Sequence, residues 1–299
     1  MHIVFIAILV LIILLAGLSF ALSSFSMRIP RLSVEEVRKW LEDRIDISWY
    51  DKTNREDYTV KSNDGYDLHA QLIRNSLLTD KYVIISHGYT DNFMGSVKYA
   101  KIYLGLGFNV ILYDLRGHGL NEPTYCTYSI RESRDLKEMI KDSRARYPEC
   151  RVLGIHGESL GAATSIAVLK YKPDIDFVVS DCAFGEITPV MKGILGRFHL
   201  PGRLVSVASQ FTKLRYGYFY RDMRPEDSLA DNEIPILFIH GEADDLIAPS
   251  HSEKMKEMTK GYSEIFTVPG AGHAESVLTA PAEYEKRVEG FLCGIGIIR

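Results

Sequence analysis

A serine between two glycines is the residue of this 299-residue sequence best suited to covalent chemistry. The apolar run 152–155 leads into Gly157-Glu158-Ser159-Leu160-Gly161, and a segment of small residues follows. This order predicts a strand that enters a helix through a tight turn with Ser159 at its apex, where only glycines avoid steric clashes. The pattern alone arises by chance in roughly a tenth of chains this long. The alternative is a serine on an ordinary strand-to-helix turn. Whether the chain supplies a base and an acid for Ser159 distinguishes the two interpretations.

A serine hydroxyl needs a neighbouring base and an acid that orients this base. Asp244 and Asp245 follow the buried run 236–239, and His273 follows the next run, 265–268. Because the carboxyl ends of parallel strands meet at one edge of a sheet, an acid and a histidine would emerge there together. We assign Asp244 as the acid and His273 as the base. Asp245 is the nearest rival acid.

Other histidines fit the role of base less well. His156 and His240 adjoin strand ends and are expected to hydrogen-bond the backbone as structural residues. His199 lies in an insertion, and His251 lies in a helix close to the acid loop. A polar loop residue is the alternative for His273 itself.

Acyl transfer also requires donors for an oxyanion, which are usually backbone N–H groups because these are rigid. The N–H of Leu160, directly after the serine, is one candidate. The second is the N–H of Tyr89, which stands beside Gly88 in the loop after the run KYVIIS. A simple strand-ending turn is the alternative for this loop. The turn Asp114–Gly119 at the same sheet edge is predicted to be structural.

Five motifs occur in one order: HGYTDN, YDLRGHG, GESLG, HGEADD and GAGHAES. Together they resemble the α/β-hydrolase superfamily, and among its branches the membrane-anchored members related to serine aminopeptidases and lysophospholipase-like esterases. The resemblance covers about residues 58–292. It implies a Ser159–Asp244–His273 hydrolase without a cofactor. The chain departs from the family pattern at Pro249, one residue later than is common, and in having His-Gly-Tyr in place of a Gly-Gly-Gly oxyanion loop.

The leading functional hypothesis is a hydrolase of carboxylic esters that acts on a small-molecule acyl or lipid-like substrate. Peptidase, amidase or thioesterase activity on the same three residues is the alternative within enzymes, since one fold carries all of these chemistries. A non-catalytic binding module on a hydrolase fold is the alternative outside enzymes. A serine at the turn argues against dehalogenases and epoxide hydrolases, which use aspartate.

Alternation of apolar runs with helical segments predicts an α/β fold: a mostly parallel, twisted sheet flanked by helices, as in the α/β-hydrolase fold. Residues 58–61 and 66–73 flank Asn63-Asp64-Gly65 and predict a β-hairpin. Helices are expected at about 93–106, 129–147 and 281–292. We place the hydrolase domain at residues 57–299, with a helical cap inserted at about 185–230.

Residues 3–22 form an uncharged apolar segment long enough to cross a hydrocarbon layer of about 30 Å. The segment predicts a single-pass N-terminal membrane anchor over residues 1–27. A cleaved signal peptide is the rival, although a positively charged start is missing and the apolar run is long. A linker over residues 28–56 contains a capping box at Ser33–Glu36. The basic residues after the anchor favour a domain on the cytoplasmic face; they are Arg28, Arg31, Arg38 and Lys39.

The composition excludes several classes of partner. A formal charge of −4 and the absence of a Lys/Arg-rich run argue against nucleic acid. Cys126, Cys150, Cys182 and Cys293 lack the spacing of a zinc site. A predicted helix separates Cys126 from Cys150 by roughly 25 Å, beyond disulfide reach. The sequence gives no indication of an oligomeric state.

The cap segment 185–224 differs in charge from the rest of the chain. Seven basic residues face two acidic ones, a net charge of +5. Apolar residues recur at helical spacing over 204–214: Leu204, Val207, Ala208, Phe211 and Leu214. One interpretation is a cap helix that packs its apolar face on the core and leaves the basic residues in solvent. The other is a cap that meets an anionic membrane surface beside the anchor.

Overall fold

A computed structural model describes residues 2–299 of the chain. The strands in chain order are β1 (Arg55–Lys61), β2 (Asp67–Ile73), β3 (Lys81–Ser86), β4 (Asn109–Tyr113), β5 (Val152–Glu158), β6 (Phe177–Asp181), β7 (Ile236–Gly241) and β8 (Ser263–Val268). They form one sheet in the order β1-β2-β4-β3-β5-β6-β7-β8. β1 and β2 form the predicted hairpin, β2 pairs antiparallel with β4, and every pair from β4 to β8 is parallel.

Helices cover both faces of this sheet, so the predicted α/β architecture is confirmed. Along the chain they are α1 (His2–Met27), α2 (Val34–Glu42), α3 (Val97–Gly105), α4 (Ile130–Arg146), α5 (Leu160–Ala167), α6 (Ile187–Arg197), α7 (Arg203–Tyr216), α8 (Ser250–Met258), α9 (Ser276–Thr279) and α10 (Pro281–Gly294). Side chains of α2, α3 and α10 pack on one face. Side chains of α4, α5, α7 and α8 pack on the other.

The central strands are apolar on both sides because each face meets a helix layer. Ile84 of β3 and Ile111 of β4 face the layer that contains α4 and α5. Ile85 and Leu112, one residue further along, face the layer that contains α3 and α10. This alternation explains why these strands are continuous apolar runs in the sequence. Because β3, β5, β6, β7 and β8 pair in parallel, their carboxyl ends lie at one edge of the sheet.

The cap consists of α6 and α7, inserted between β6 and β7. Prediction of the buried face of α7 was partly wrong. Leu204 and Ala208 are buried as expected, but Val207 is 42% and Leu214 is 82% exposed. Polar residues take the buried positions because they have partners: Ser209 Oγ accepts a hydrogen bond from Tyr220 N at 3.0 Å.

Helix α1 is long and apolar enough to cross a membrane, and it is not separate from the domain. Its serines at positions 19, 23 and 26 lie on one face and are buried against the cap. Ser23 Oγ hydrogen-bonds Thr212 Oγ1 at 2.9 Å, and Ser26 Oγ hydrogen-bonds Tyr220 OH at 2.6 Å. The C-terminal third of α1 is therefore part of the folded cap.

The segment after α1 crosses the active-site edge of the sheet. Leu32 N donates to Thr90 O at 3.2 Å, and Asn92 Nδ2 donates to Leu32 O at 3.1 Å. The capping box at Ser33 and Glu36 is present and starts α2. These contacts hold α2 against the loop that follows β3.

Candidate active site

Ser159 lies at the apex of the turn from β5 to α5, with φ +52° and ψ −112°. This backbone region is strained for a residue with a side chain. The turn is tight on both sides: a Cβ at Gly157 would lie 2.4 Å from Gly161 O, and a Cβ at Gly161 would lie 2.1 Å from Ser86 O. Glycine is therefore required at both positions. Ser159 N donates to Asp181 O at 2.8 Å, which ties the turn to β6.

The structure brings Ser159, His273 and Asp244 together in a hydrogen-bonded chain. Ser159 Oγ lies 2.9 Å from His273 Nε2, and His273 Nδ1 lies 2.7 Å from Asp244 Oδ2. His273 follows β8 and Asp244 follows β7, so both come from strand ends. This is the geometry in which an imidazole can accept the serine proton while a carboxylate fixes its orientation.

Asp244 is held in its ionised form. Burial opposes ionisation, but hydrogen bonds from His240 and His273, together with the N–H of Ile247, outweigh it and hold the pKa of Asp244 well below its usual range. Asp244 Oδ1 accepts the N–H groups of Leu246 at 3.0 Å and Ile247 at 2.9 Å. The rival Asp245 has a side chain that is 85% exposed and pairs with Arg197 at 3.1 Å. Asp244, and not Asp245, contacts the imidazole.

The other predicted histidines have structural partners that differ partly from expectation. His240 Nδ1 hydrogen-bonds Ser252 Oγ at 2.7 Å. His240 Nε2 donates to Ile247 O at 2.8 Å and also lies 3.2 Å from Asp244 Oδ2. The expected backbone partner of His156 was wrong: within residues 2–299 its ring nitrogens instead meet the hydroxyls of Tyr103 and Tyr284. A neutral imidazole has one nitrogen that donates and one that accepts. A hydroxyl can do either, so two tyrosine hydroxyls can satisfy both nitrogens in either tautomer.

The two backbone donors proposed for an oxyanion flank Ser159. The N–H groups of Tyr89 and Leu160 make no hydrogen bond within residues 2–299. The Tyr89 side chain points away from this role: its hydroxyl donates to Arg28 O at 2.5 Å, and its ring stacks on Tyr128. The two N–H groups are thus available for a ligand, while the tyrosine ring serves packing.

The turn Asp114–Gly119 is structural in the way predicted. The Asp114 carboxylate accepts the N–H of Phe93 at 2.8 Å and the N–H of Leu120 at 3.0 Å. A Cβ at Gly119 would lie 2.0 Å from this carboxylate. The turn therefore anchors the start of the segment that leads to α3.

A charged cluster beneath Ser159 was not predicted. Glu158, directly before Ser159, forms an ion pair with the buried Lys98 and accepts a hydrogen bond from Tyr99. Burial first, and then the charge of Glu158, raise the pKa of the partly buried Asp91 to about 7. Asp181 is also buried here, and the same two causes raise its pKa to about 6. Charged residues scattered over 90 positions gave no sequence signal, because only the fold brings them together.

A cleft of about 490 Å³ opens above the serine. Its apolar lining comes from Leu32, Val37 and Trp40 in the segment after α1, together with Leu246 and Ala274. The linker, which the sequence suggested only as a connection, therefore contributes directly to the site.

Three potential metal ligands lie near the imidazole: Cys182, Asp244 and His273. The last two already share a hydrogen bond. Burial and nearby carboxylates raise the pKa of the Cys182 thiol well above its usual range, whereas metal binding needs the thiolate. These donors fit a hydrogen-bonded triad better than a zinc site.

A Ser–His–Asp chain at the carboxyl edge of a mostly parallel sheet, beneath a helical cap, is the arrangement of the α/β-hydrolases. A family model described as serine aminopeptidase, S33, matches residues 79–222. The uncharacterized protein YqkD of Bacillus subtilis is 31% identical over 247 residues, which cover 81% of each chain. The chain belongs to the α/β-hydrolase superfamily, and the family predicted from its motifs is confirmed.

Two further likenesses bear on function and location. The Pyrococcus furiosus esterase Pf2001 has a similar structure, with a TM-score of 0.70 and 25% identity, covering 90% of this chain and 98% of that one. The uncharacterized membrane protein YNL320W of Saccharomyces cerevisiae is 23% identical over 232 residues, 75% of each chain. The chain is a hydrolase, and the finer assignments follow below.

Proposed function

We propose that the protein is a serine hydrolase that cleaves carboxylic esters of acyl or lipid-like substrates. The observation that carries the proposal is the hydrogen-bonded chain from Ser159 Oγ through His273 to Asp244. The likeness to an esterase along nearly the whole of both chains supports the choice of ester substrates. The largely apolar walls of the cleft suit an acyl group.

In the proposed mechanism Ser159 Oγ attacks the ester carbonyl while His273 Nε2 accepts its proton. The N–H groups of Tyr89 and Leu160 stabilise the negative charge that develops on the carbonyl oxygen. The C–O bond then breaks, and the imidazolium gives its proton to the departing alkoxide. A water molecule, deprotonated by His273, attacks the acyl-enzyme and releases the acid with Ser159 restored.

Aminopeptidase activity is the second candidate, favoured by the description of the family model. It would require a carboxylate free to bind a substrate ammonium group. Glu158 is already paired with Lys98, and Glu36 accepts the N–H of Ser33 at 2.7 Å in the capping box. Asp91 accepts the N–H of Asn92 at 2.7 Å, and Glu275 accepts the N–H of Gly272 at 3.2 Å. Each of the four acids that line the cleft thus has a partner within the protein, and we place ester hydrolysis first.

The test is to label the full chain with a fluorophosphonate probe and to assay acyl esters, thioesters and aminoacyl amides. We expect labelling that the Ser159→Ala variant abolishes, and the highest kcat/KM on acyl esters. Labelling that persists in Ser159→Ala would exclude Ser159 as the nucleophile. A higher kcat/KM on aminoacyl amides would replace the esterase assignment, and no labelling with no turnover would favour a binding module.

We also propose that α1 anchors the protein as a single-pass helix with the hydrolase domain on the cytoplasmic face. The helix length and the membrane description of the yeast relative support the anchor, and the basic residues after α1 support the side. Cys293 offers a native probe because it is exposed while the other three thiols are buried. An impermeant maleimide should label Cys293 in inverted vesicles and not in intact cells. Labelling in intact cells would reverse the orientation.

A further inference from the structure

The part of α1 that is free of the domain is short for a membrane span. Burial of its side chains against the cap begins in the turn that contains Ser19. Residues 2–18 cover about 25 Å at 1.5 Å per residue, whereas the hydrocarbon core of a bilayer is about 30 Å thick. The turn at Ser19 must therefore lie at the boundary of the hydrocarbon. The part of the cap that packs on this turn must then lie at the lipid headgroups.

The packing of α7 on α1 fixes which end of the cap faces the bilayer. Phe20 meets Phe211 with ring centroids 5.7 Å apart. Ser23 meets Thr212 further along both helices. Tyr216, the last residue of α7, packs on Tyr125, which pairs with Arg28 directly after α1, so positions along the two helices advance together. The two helices thus run in the same direction. The N-terminal end of α7 and the loop between α6 and α7 point back along α1, toward the membrane.

The side chains at this end combine exposed apolar groups with basic groups. Phe198, in the loop, is 69% exposed, and Val207 faces solvent on α7. Lys192 and Arg203 are also exposed, and Gly202 lies beside the Lys192 side chain. We call these four residues, Lys192, Phe198, Arg203 and Val207, the cap edge.

Of the seven basic residues of the cap segment, two pair with carboxylates within residues 2–299, and neither of these belongs to the cap edge. Arg197 pairs with Asp245, and Arg224 pairs with Glu186, Glu226 and Asp227. Within residues 2–299, Lys192 and Arg203 have no carboxylate at ion-pair distance. Unpaired cations beside exposed apolar side chains are the composition of surfaces that bind anionic lipid.

We propose that the cap edge is a lipid-binding surface that rests against the headgroups of an anionic bilayer beside α1. Phe198 and Val207 insert among the lipids. Lys192 and Arg203 bind phosphate groups, and the apolar parts of their side chains lie along the inserted residues. The proposal rests on the membrane anchor proposed above. It also places the cap, and hence one side of the active-site region next to Asp245, at the layer where lipid esters are found.

A spin-label experiment on the full chain tests the contact. In a Cys293→Ser background, a nitroxide is attached at Phe198→Cys or at Leu78→Cys, and the protein is placed in nanodiscs that hold one copy. Leu78 is a matched control because it is an exposed leucine before β3, at the opposite edge of the sheet. We expect the label at 198 to be accessible to oxygen and shielded from a water-soluble nickel complex, and the label at 78 to show the reverse. Equal access of the nickel complex to both sites would overturn the proposal, and so would shielding at 198 that occurs only when a disc holds two copies.

Charge variants test the lipid preference. Each basic residue near an anionic surface contributes a factor of about five in affinity, so Lys192→Gln with Arg203→Gln should lower the ratio of docked to undocked cap by about 25-fold. The control pair Lys141→Gln with Lys286→Gln changes the net charge equally at distant helices. Equal shielding at 198 in neutral and anionic discs, or equal effects of both pairs, would overturn the role of the cations. Labelling of Ser159 by fluorophosphonate should be unchanged in all of these variants. This labelling tests the proposed hydrolase function, whereas the nitroxide at 198 tests the lipid contact, so failure of one can be distinguished from failure of the other.

Discussion

Two carboxyl groups near Ser159 have pKa values that are shifted in opposite directions. Asp244 stays ionised because histidine and backbone donors outweigh its burial. Asp91 lies among Glu158, Lys98 and Asp114, and burial together with the charge of Glu158 raises its pKa to about 7. Neutralising Asp91 relieves a site where acids outnumber the single lysine. Asp244 can therefore orient an imidazole as a carboxylate, whereas Asp91 takes up a proton more readily than an ordinary aspartate.

Exchange of each neighbouring aspartate for asparagine should separate their roles. We expect Asp244→Asn to lower kcat by about 10⁴-fold, since an amide no longer fixes the imidazole tautomer. Asp245→Asn should change kcat by less than about threefold, because its contact is a surface ion pair. Steady-state ester hydrolysis measures both. A large loss in Asp245→Asn with a small one in Asp244→Asn would assign the acid to position 245.

Asp91→Asn should stabilise the protein in a pH-dependent manner. When a carboxyl has a higher pKa in the folded than in the unfolded state, the free energy of unfolding of the protein falls as pH rises from the unfolded pKa through the folded pKa. For Asp91 that window runs from about 4 to about 7. The melting temperature of Asp91→Asn should therefore exceed that of the wild type by an amount that grows from pH 4.5 to pH 8. A gap that shrinks over this range would contradict the raised pKa, and Asp245→Asn serves as the control.

At the scale of elements, the turn between β5 and α5 depends on two glycines that have no room for a side chain. We predict that Gly161→Ala destabilises the fold by about 1–3 kcal/mol and removes most activity, because a Cβ would meet Ser86 O and displace the turn. Gly290→Ala is the matched control: it lies in α10, where a Cβ meets nothing within 4 Å. Alanine there should stabilise by up to about 1 kcal/mol. Urea unfolding of both variants tests the contrast, which would fail if they behaved alike.

The sequence allowed prediction of those elements that local pattern determines. Apolar runs located the central strands, and the glycines around Ser159 located the tight turn from β5 to α5. The meeting of Ser159, Asp244 and His273 could be predicted because the carboxyl ends of parallel strands lie at one edge. Contacts between distant segments were not predictable. Lys98 and Glu158 meet only after β3, β5 and α3 have packed. The buried face of α7 was misjudged because hydrogen bonds from α1 and Tyr220 make Thr212 and Ser209 as suitable for burial as an apolar residue.

At the scale of the molecule, the N-terminal helix divides into two parts. Residues 2–18 extend from the domain, while Ser19–Met27 pack on the cap and on the loop before α4. Met27 is fully buried, and its carbonyl accepts the N–H of Cys126 at 3.0 Å. The sequence placed the end of the anchor after residue 27. In the structure, residues 19–27 already pack on the domain, so they belong with it structurally.

Two truncations test this division. Removal of residues 2–18 should leave the free energy of unfolding nearly unchanged, because those side chains make few contacts with the domain. Removal of residues 2–28 should lower it by at least about 2 kcal/mol, since it withdraws a buried methionine and leaves the Tyr220 hydroxyl without its partner Ser26. Equal unfolding midpoints in urea would mean that the docked turns add nothing to stability.

In the proposed membrane orientation, the docked joint between α1 and the cap would also determine how far Ser159 stands from the lipid. A flexible tether would let the catalytic serine sample many heights above the bilayer. Here α1 is one continuous helix from His2 to Met27, and hydrogen bonds from Ser23 and Ser26 fix its last turns to the domain. In the proposed orientation the height of Ser159 is therefore constant. The enzyme would select substrates by how far their scissile bond can rise from the membrane, so bilayer thickness, and not only acyl chemistry, would govern its turnover.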